Sequence, residues 1–474
     1  MDDQIEKLFL SFSGHAPESL TALSPSGSRR RYFRIIGPDG GSCIAVKGTD
    51  ADENRAFVTI SRHFRSKGIK VPEVLAVTGD GMCYLQEDLG NDTLYDRLAP
   101  SRNAGEYAAA DVELLCRVMS ELPKIQFEGA AGLDFSVCYP SDSFNARMVD
   151  FDLNYFKYCF LKPSSVEFNE EMLQDDFDKL KSDLLSEPAD AFMYRDFQSR
   201  NIMLRGGDPW YIDFQGGRRG PEYYDVASFV WQARAAYPGE LRTKMVDAYI
   251  AALKQYKNVD REEFRKRLRP FVLFRTLQVL GAYGFRGRVE RRPHFLESIP
   301  YALDNLRSLL KEPFVRYPYL NSVLERLLTE GCPATGSCPD GLLEVHVYSF
   351  SFRKGIPEDC SGNGGGYVFD CRSVHNPGKY ERFRHSTGLD PDVQEFLEQD
   401  GEILTFLDSC SALVDAHVER YLERGFSHLQ VSFGCTGGQH RSAYSAQKLA
   451  EHLAGKQGVK VHLTHRELKI DKYL

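Results

Sequence analysis

The chain has 474 residues and a net charge of −8, and its apolar and charged fractions, 42% and 27%, are ordinary for a globular protein. This length predicts two or three domains, each large enough to bury a hydrophobic core. The negative charge argues against a nucleic-acid-binding protein whose whole surface is positively charged. Eleven irregularly spaced cysteines, no signal peptide in Met1–Gly14 and no long apolar run predict a reduced, soluble, cytoplasmic protein without a membrane span.

Residues 1–89 predict a small lobe rich in β-structure. The patterns of Arg31–Ile36 and Ser42–Lys47 predict a hairpin across a turn that contains three glycines. The segment Ala51–Lys67 has apolar residues at helical spacing and predicts a helix with one buried face. A further short strand is predicted at Met82–Gln86.

Residues 90–328 predict a larger, mainly helical lobe that carries a phosphoryl-transfer motif. Strand-like runs interrupt the helical pattern at Ala191–Tyr194, Ile202–Leu204 and Trp210–Ile212. Asp196 and Asn201 lie between the first two runs, and Asp213 follows the third. A kinase needs a carboxylate to orient the attacking hydroxyl and oxygen ligands to hold Mg²⁺ against the ATP phosphates. The motif therefore predicts Asp196 as the catalytic base, with Asn201 and Asp213 as metal ligands.

Two features of the small lobe are candidates for binding ATP. The glycine of the loop Gly27–Phe33 either lets backbone N–H groups approach phosphates or forms a plain turn. Lys47 ends the second hairpin strand, between this loop and the predicted helix. Its position is typical of the lysine that holds nucleotide phosphates in kinases, and Glu53 is its predicted ion-pair partner.

Residues 1–328 resemble the aminoglycoside phosphotransferase and choline kinase family. Tyr194, Asp196 and Asn201 match the catalytic-loop pattern of that family, with Tyr194 where histidine is more usual. Among its members, the bacterial kinases that phosphorylate the anomeric hydroxyl of N-acetyl amino sugars look closest. The resemblance implies a protein-kinase-like α+β fold with two lobes, and an active enzyme that uses ATP and Mg²⁺.

The resemblance also implies roles for residues outside the catalytic loop. Asp213 matches the metal-binding aspartate of the family, and Lys47 matches its lysine. Glu87 and Leu89 lie in the stretch that matches the hinge in contact with adenine. Asp225 matches a structural aspartate that braces the catalytic loop.

The segment Ser143–Tyr158 is the candidate for substrate binding. It carries Asp150, Asp152, Asn154 and several aromatic residues. Carboxylates and aromatic rings suit a polyhydroxylated sugar, and they suit a choline-like cation almost as well. The pattern is equally that of an amphipathic helix whose aromatic residues belong to the core, so all three interpretations stay open.

A second domain is predicted after an aperiodic linker at residues 329–341. The linker contains Cys332 and Cys338. Two cysteines at this spacing could form a disulfide or bind a metal, but without further ligands they more often do neither. Residues 342–474 then alternate strands and helices in a pattern that predicts a smaller α/β domain with a mainly parallel sheet. The helix Glu402–Glu423 is its longest predicted element.

The loop Gly434–Ser442 follows a predicted strand and opens a helix in this second domain. Successive backbone N–H groups at a helix N-terminus form an anion cradle, and Arg441 adds a guanidinium. Cys435 and Arg441 also have the C-x₅-R spacing of cysteine-dependent phosphatases. Asp370 and Arg372 end another predicted strand, so in a parallel sheet they are expected at the same crevice.

Residues 342–474 resemble the C-terminal domain of the RapZ family, which senses glucosamine-6-phosphate and takes part in RNA binding. The resemblance is carried by the segments Phe350–Pro357, Phe369–Arg372, Asn376-Pro377, Thr387–Asp390 and Gly434–Ser442. It implies that a phosphorylated sugar or another anion is bound by Asp370, Arg372, Asn376, Cys435, Thr436, Gly437, Gly438, Gln439, His440, Arg441 and Ser442. RNA binding has no support from charge, because residues 341–474 hold 15 Lys and Arg against 18 Asp and Glu.

The sequence thus predicts an ATP- and Mg²⁺-dependent phosphotransferase that acts on a small compound with a hydroxyl group. An amino sugar is the preferred substrate class, and an amino alcohol is the second choice. A phosphosugar-sensing domain is fused to it. One alternative is an RNA-binding adapter in which the kinase-like part senses a ligand. Another is a kinase–phosphatase pair that uses Cys435 and Arg441.

Overall fold

A computed structural model describes residues 3–23, 30–164, 166–290, 292–329, 342–359, 366–423, 426 and 428–474. The chain divides into two compact units. The first comprises Met1–Phe285 and Tyr301–Thr329, and the second comprises Arg286–Pro300 and Glu330–Leu474. The predicted linker lies outside the described residues from residue 330 on, as do Cys332 and Cys338. Gly27 lies outside them too.

The small lobe of the first unit is a five-stranded antiparallel sheet with the order β1-β2-β3-β5-β4. Its strands are β1 (Ser19–Ala22), β2 (Arg31–Ile36), β3 (Ser42–Lys47), β4 (Val74–Val77) and β5 (Cys83–Glu87). The predicted hairpin is confirmed, since β2 and β3 pair from Arg31 with Lys47 to Ile36 with Ser42. Gly40 has a φ of 78° in the connecting turn, a left-handed conformation that glycine adopts without steric cost.

Helices cover both faces of this sheet. They are α1 (Asp3–Ser13), which the sequence analysis did not predict, and α2 (Ala51–Ser66), which it did. Ile5 and Phe9 of α1 pack on one face in a core cluster with Ala45 and Leu85. On the other face, Phe57 of α2 stacks on Tyr84 with ring centroids 4.9 Å apart.

The large lobe is mainly helical, as predicted. Its short strands are β6 (Ala191–Met193), β7 (Ile202–Arg205), β8 (Asp208–Tyr211) and β9 (Arg218–Gly220), and β6 pairs with β9 and β7 with β8. The helices from residue 94 to residue 329 are α3 (Leu94–Arg97), α4 (Ala99–Ala104), α5 (Ala109–Pro123), α6 (Ala146–Phe156), α7 (Glu170–Leu185), α8 (Tyr223–Val230), α9 (Gly239–Leu253), α10 (Arg261–Gly284), α11 (Pro293–Leu296), α12 (Ile299–Leu309) and α13 (Pro318–Thr329). The four-residue α11 belongs to the second unit.

Two glycines let α10 lie directly against α6 and the turn that follows it. A Cβ on Gly281 would lie 2.7 Å from the backbone nitrogen of Phe156, and one on Gly284 would lie 2.1 Å from the carbonyl oxygen of Cys159. Any larger residue would therefore push the two segments apart. This close approach matters for the site, because α6 carries Asp152 and α10 carries Arg275.

The second unit contains a five-stranded sheet with the order β11-β12-β10-β13-β14. Its strands are β10 (Leu343–Ser351), β11 (Gly366–Asp370), β12 (His428–Cys435), β13 (Val459–His465) and β14 (Ile470–Tyr473). Its remaining helices are α14 (Pro391–Glu398), α15 (Glu402–Glu423) and α16 (Arg441–Ala454). The first four strands in the order are parallel, as predicted, and the unpredicted β14 is antiparallel to β13.

The strands of the second unit bury one face and leave the other half-exposed. Leu343, Val345 and Val347 of β10 are fully buried in the core of this unit. The alternate residues of the same strand, Glu344 among them, point to the opposite face.

No helix among the described residues is both long enough and apolar enough to cross a bilayer.

Candidate functional site

The catalytic loop begins where β6 ends, in a turn that one buried carboxylate holds. The backbone N–H groups of Tyr194 and Arg195 donate to the two carboxylate oxygens of Asp225, at 2.7 and 2.8 Å. Arg195 has a φ of 76°, which a non-glycine residue adopts only when its surroundings stabilise it. Burial raises the pKa of Asp225 to about 7, although the two N–H groups favour its charged form. The structure thus shows Asp225 as the brace of the loop.

Asp196, Asn201 and Asp213, the three residues predicted for catalysis and metal binding, lie together. The side-chain amide of Asn201 donates to the carbonyl oxygen of Asp196 at 2.9 Å and to Oδ2 of Asp213 at 3.3 Å. Nε2 of Gln215 donates to Oδ1 of Asp213 at 2.7 Å. Burial raises the pKa of Asp213, and the negative charge of Asp196 raises it further. Two neighbouring carboxylates and an amide oxygen are ligands that suit a divalent cation, whose charge would relieve their repulsion.

Arg275 of α10 fixes the electrostatic environment of Asp196, and the sequence analysis did not identify it. Nη2 of Arg275 lies 3.7 Å from Oδ1 of Asp196, whose side chain is 45% exposed. The guanidinium is also held by Ser228, whose Oγ lies 3.1 Å from Nε. A cavity opens beside it, and its lining includes Gln198 of the catalytic loop and Tyr283. The carboxylate of Asp196 is therefore oriented and accessible at the same time.

A second residue that sequence reasoning missed is Arg30, directly before β2. Arg30 is 2% exposed, and its Nη2 lies 2.6 Å from Oε1 of Glu53 on α2. Tyr32 is its neighbour, and the pKa of Tyr32 is raised by burial and then by the charge of Asp213. A buried guanidinium is therefore paired with the helix carboxylate of Glu53 and lies close enough to Asp213, the predicted metal ligand, to lower its pKa. An arginine in a basic run was the only sequence signal for it.

Strand alternation places Lys47 on the other face of the small-lobe sheet. Val46 pairs in register with Tyr84, which stacks on Phe57 of α2. Ala45 belongs to the core cluster that α1 covers. Because successive side chains of a strand point to opposite faces, Lys47 shares the face of Ala45 and not that of Val46. The role predicted for Lys47 stays a prediction, and Arg30 is a second candidate for the same role.

The predicted hinge residues lie at the end of β5, where the small lobe meets the large lobe. The carboxylate of Glu87 forms ion pairs with Arg205 of β7 and with Arg65, at 3.5 Å in the latter case. Leu89 is 8% exposed. With its side chain used in this way, Glu87 has only its backbone to offer a nucleotide base.

The segment predicted for substrate binding forms α6. Asp150 forms an ion pair with Lys181 of α7 at 2.7 Å. Asp152 is 2% exposed, and burial raises its pKa. The positive charges of Arg195 and Arg275 lower the pKa, but by less than burial raises it. Its Oδ2 has no hydrogen-bond partner among the described residues. Asp152 is therefore the acidic residue of α6 that lies beside the catalytic groups.

In the second unit, Cys435 ends β12 at the base of the predicted anion-binding loop. The backbone N–H of Gly438 donates to its Sγ at 3.1 Å, and Oγ of Ser442 lies 3.1 Å from the same sulfur. Gly438 has a φ of 74°. Thr436 is held through its carbonyl oxygen, which accepts from Oγ of Ser351 at 2.7 Å. The buried thiol thus closes the inside of the loop, and the side chain of Thr436 and the backbone of Gly437 are exposed.

Arg441 begins α16 but does not point freely into this loop. Its Nη1 donates to the carbonyl oxygens of Arg372 and Val374, at 3.1 and 2.8 Å, while Nε has no hydrogen-bond partner among the described residues. His440 lies with Nε2 3.1 Å from the carbonyl oxygen of Phe383, and Gln439 is exposed. Arg441 therefore ties the segment after β11 to the loop from a buried position.

The strand-end residues predicted for the same crevice are held by short local contacts. Arg372 donates from Nε to both oxygens of Asp370 at 2.9 Å, and this interaction lowers the pKa of Asp370. The guanidinium of Arg372 also lies 4.4 Å from the ring centroid of Phe352. Oδ1 of Asn376 accepts from the backbone N–H of Gly378 at 3.2 Å. Asp370 is thus an ionised hydrogen-bond acceptor at neutral pH.

Curated relatives resemble part of the chain. A nucleotide-binding protein of Rhodospirillum rubrum is 39% identical over 127 residues, which are 27% of this chain and 38% of that protein. A nucleotide-binding protein of Fusobacterium nucleatum is 30% identical over 209 residues, which are 40% of this chain and 68% of that protein. The chain spans about two fifths of the length of the first of these and of several similar proteins.

Solved structures resemble part of the chain at low sequence identity. An amicoumacin kinase in complex with AMP-PNP has a TM-score of 0.44 at 11% identity, with 69% of this chain and 93% of that chain covered. The choline kinase of Streptococcus pneumoniae has the same TM-score and identity, with 65% and 100% covered.

Family models match both parts of the chain. Residues 343–469 match the RapZ C-terminal domain. Residues 19–263, more than half of the chain, match the phosphotransferase enzyme family and include the catalytic loop and Asp213. The chain therefore belongs to the phosphotransferase enzyme family, and a RapZ C-terminal domain follows the part that matches this family.

Proposed function

We propose that the kinase part transfers the γ-phosphoryl group of ATP to a hydroxyl group of an amino sugar. The observation that carries this proposal is the hydrogen-bonded set of Asp196, Asn201 and Asp213 on a loop braced by Asp225. Phosphoryl transfer depends mainly on positioning and electrostatic stabilisation, and these residues are held rigidly enough to supply both.

Asp196 accepts a hydrogen bond from the attacking hydroxyl in this mechanism. The hydroxyl oxygen forms a bond to the γ-phosphorus, the bond from that phosphorus to the bridging oxygen of ADP breaks, and the hydroxyl proton passes to Oδ of Asp196. Arg275, 3.7 Å away, keeps the carboxylate oriented towards the acceptor. The buried carboxylate of Asp152 then supplies a hydrogen-bond acceptor for the hydroxyl or amide groups of the substrate.

Asn201 and Asp213 would hold Mg²⁺. The amide nitrogen of Asn201 is used in hydrogen bonds, which leaves its oxygen as the group for a cation. When bound, Mg²⁺ supplies charge neutralisation for the transferred phosphoryl group.

Arg30 and Lys47 are the two candidates for binding the ATP phosphates, and we favour Arg30. Arg30 lies on the side of the sheet that faces Asp213, and Glu53 fixes its guanidinium. A buried, fixed guanidinium is suited to phosphate oxygens because it presents several N–H donors in one plane. Adenine would then contact the backbone of Glu87 and Leu89.

For the second unit we propose that the loop Gly434–Ser442 binds a phosphorylated sugar, the product of the kinase or a relative of it. The N-terminus of α16 and the exposed backbone around Gly437 suit an anion, and the buried guanidinium of Arg441 adds positive charge beside them. Asp370, ionised beside Arg372, suits sugar hydroxyls. We also place the protein in the cytoplasm, where ATP is available and where thiols such as Cys43 and Cys83 stay reduced.

One observation favours a phosphatase as a second candidate for this loop. The N–H of Gly438 and the hydroxyl of Ser442 both lie 3.1 Å from the sulfur of Cys435, an arrangement that would support a thiolate. A phosphatase also needs a proton donor for the leaving oxygen, and the pKa of Asp370 is lowered by Arg372, which makes Asp370 a poor donor. We therefore favour the receptor role.

Turnover of ATP by the full chain against a panel of sugars, amino sugars and amino alcohols tests the kinase proposal. N-acetyl amino sugars are expected to give the highest kcat/KM. A preference for choline or ethanolamine would transfer the proposal to amino alcohols, and no turnover with any hydroxyl compound would favour the RNA-binding adapter. Filter binding of RNA at several salt concentrations then tests that alternative directly.

A further inference from the structure

Three histidines and a glutamate meet on the half-exposed face of the second unit's sheet. Parallel pairing puts His346 of β10 opposite His462 of β13, and Glu344 of β10 opposite His428 of β12. Glu344 and His346 are two residues apart on one strand, so both side chains point to the face opposite the buried core. His428 and His462 are far from Glu344 and His346 in the sequence, and the strand register brings them together.

The ring nitrogens of His346 and His462 point directly at each other. Nε2 of His346 contacts Nδ1 of His462, and Nε2 of His462 contacts Oδ1 of Asp471. Oε1 of Glu344 lies 3.7 Å from Nε2 of His346. One potential ligand atom from each of Glu344, His346 and His462 lies within 4.8 Å of the others. The side chains of these three residues are 11–21% exposed, so the patch is sheltered but accessible.

His428 borders the same patch with an unsatisfied nitrogen. Its ring centroid lies 5.3 Å from that of His346. Its Nε2 is buried and has no hydrogen-bond partner among the described residues, and Oδ1 of Asp359 lies 3.7 Å away. A buried imidazole nitrogen without a hydrogen bond is unfavourable unless something else binds it.

We propose that Glu344, His346 and His462 bind a divalent transition-metal ion, Zn²⁺ by their chemistry, with His428 as the neighbouring fourth ligand. Imidazole nitrogen and carboxylate oxygen are the ligands that zinc combines in proteins. Asp471 accepts a hydrogen bond from Nε2 of His462, so the lone pair of Nδ1 is the one that can bind the metal. This carboxylate–histidine arrangement is the one that orients metal-bound histidines.

Ion binding requires the contacting nitrogens of His346 and His462 to move apart and the carboxylate of Glu344 to move closer. Two ligands that are each about 2.1 Å from one ion are at most about 4.2 Å apart. The separations of up to 4.8 Å therefore need a side-chain rotation of the kind that the 21% exposed Glu344 has room to make. A hydrogen-bonded histidine pair would account for His346 and His462, and Glu344 also accepts from the hydroxyl of Tyr473 at 3.2 Å, but neither contact gives the buried nitrogen of His428 a partner.

The proposed metal site is separate from the loop at Cys435. His428 begins β12 and Cys435 ends it, which separates them by roughly 23 Å at about 3.3 Å per residue. The ligands come from β10, β12 and β13, three adjacent strands. Bound metal would therefore join the strands of the sheet and stabilise this unit.

The test uses the full chain, purified without a histidine tag and stripped with EDTA. Titration with Zn²⁺ by calorimetry, with metal content measured by mass spectrometry, is expected to show one ion per chain. Zn²⁺ is also expected to raise the melting temperature, since a ligand that binds only the folded state stabilises it. Co²⁺ in place of Zn²⁺ is expected to give the visible absorption of a nitrogen–oxygen tetrahedral site.

His462→Gln is expected to weaken Zn²⁺ binding at least about 100-fold, since loss of even an outer partner of a metal ligand costs 10- to 100-fold. His452→Gln is the matched control, because His452 also contacts a carboxylate, Asp415 at 2.9 Å, but lies on α16 outside the patch. Cys435→Ser controls for binding by the thiol. Unchanged affinity in His462→Gln, equal loss in either control, or no binding and no rise in melting temperature in the wild-type chain would each overturn the proposal.

Discussion

Replacing Arg30 and Lys47 with alanine, one at a time, shows which of the two residues binds the ATP phosphates. Arg30 is 2% exposed, is fixed by Glu53 and lies beside the Tyr32–Asp213 side of the sheet. Lys47 is on the opposite face by strand alternation. We therefore expect Arg30→Ala to lose ATP-dependent turnover and Lys47→Ala to retain it.

The magnitude follows from the burial of the guanidinium. Removing one partner of a buried, hydrogen-bonded charge pair costs about 2–4 kcal/mol, and each 1.4 kcal/mol is tenfold in rate or affinity. Arg30→Ala is thus expected to lower kcat/KM for ATP by roughly 30- to 1000-fold. Arg30→Lys keeps the charge but loses the planar set of donors, so it should lie between the two. Lys47→Ala should stay within about threefold of wild type.

The assay is steady-state kinetics with ATP varied and the acceptor saturating, together with the melting temperature of each variant. Arg30→Ala leaves Glu53 with a side chain that is 28% exposed, so water can solvate the released carboxylate and the small lobe should remain folded. A large loss in Lys47→Ala combined with near-normal turnover in Arg30→Ala would refute this reasoning and restore the role predicted from the sequence.

Three further predictions concern other parts of the chain. Asp196→Asn should retain ATP binding but lose about 10²–10⁴ in turnover, and Asp213→Ala should also lose Mg²⁺-dependent nucleotide binding; turnover within threefold of wild type in either would contradict the assignment. Arg441→Ala should weaken binding of a sugar phosphate, measured by calorimetry, by roughly 2–4 kcal/mol, while Cys435→Ser should bind normally. Phosphate release from p-nitrophenyl phosphate that disappears in Cys435→Ser would instead indicate a phosphatase. Mild proteolysis should cut between residues 330 and 340 and leave two folded fragments, whereas preferred cuts inside either part would indicate an interlocked protein.

The elements predicted most accurately were those with strong local signals. The hairpin of β2 and β3 was predicted to the residue, because a glycine-rich turn separates two short runs with strand-like residues. The helix α15 was predicted with its exact bounds, because its apolar spacing continues without interruption over 22 residues. The four-residue β14 lacks such a signal and was missed, and so was α1, although its 11 residues have apolar side chains at helical spacing.

Residues that tertiary contacts bring together were the hardest to predict. Lys47 fits the sequence pattern of a nucleotide-binding lysine, but the pattern does not say which face of the sheet it occupies. Arg30 became visible only through its ion pair with Glu53. His346 and His462 are separated by more than a hundred residues, and only the parallel register of β10 and β13 reveals that they are neighbours.

The catalytic motif was predictable because its members are close in sequence. Asp196, Asn201 and Asp213 span 18 residues and are joined directly by the side chain of Asn201. The substrate was not predictable, because its contacts depend on how α6 and α10 pack, and Gly281 and Gly284 set that distance.

Transfer of a labelled γ-phosphoryl group tests the central claim most directly. The full chain is incubated with Mg²⁺, γ-labelled ATP and N-acetyl amino sugars, beside Asp196→Asn, and the products are separated and identified. The wild-type chain is expected to move the label onto a sugar hydroxyl, and the variant is expected not to. Label that appears only in inorganic phosphate, or sugar phosphate that forms equally with Asp196→Asn, would contradict the claim that this site is a kinase with Asp196 as its base.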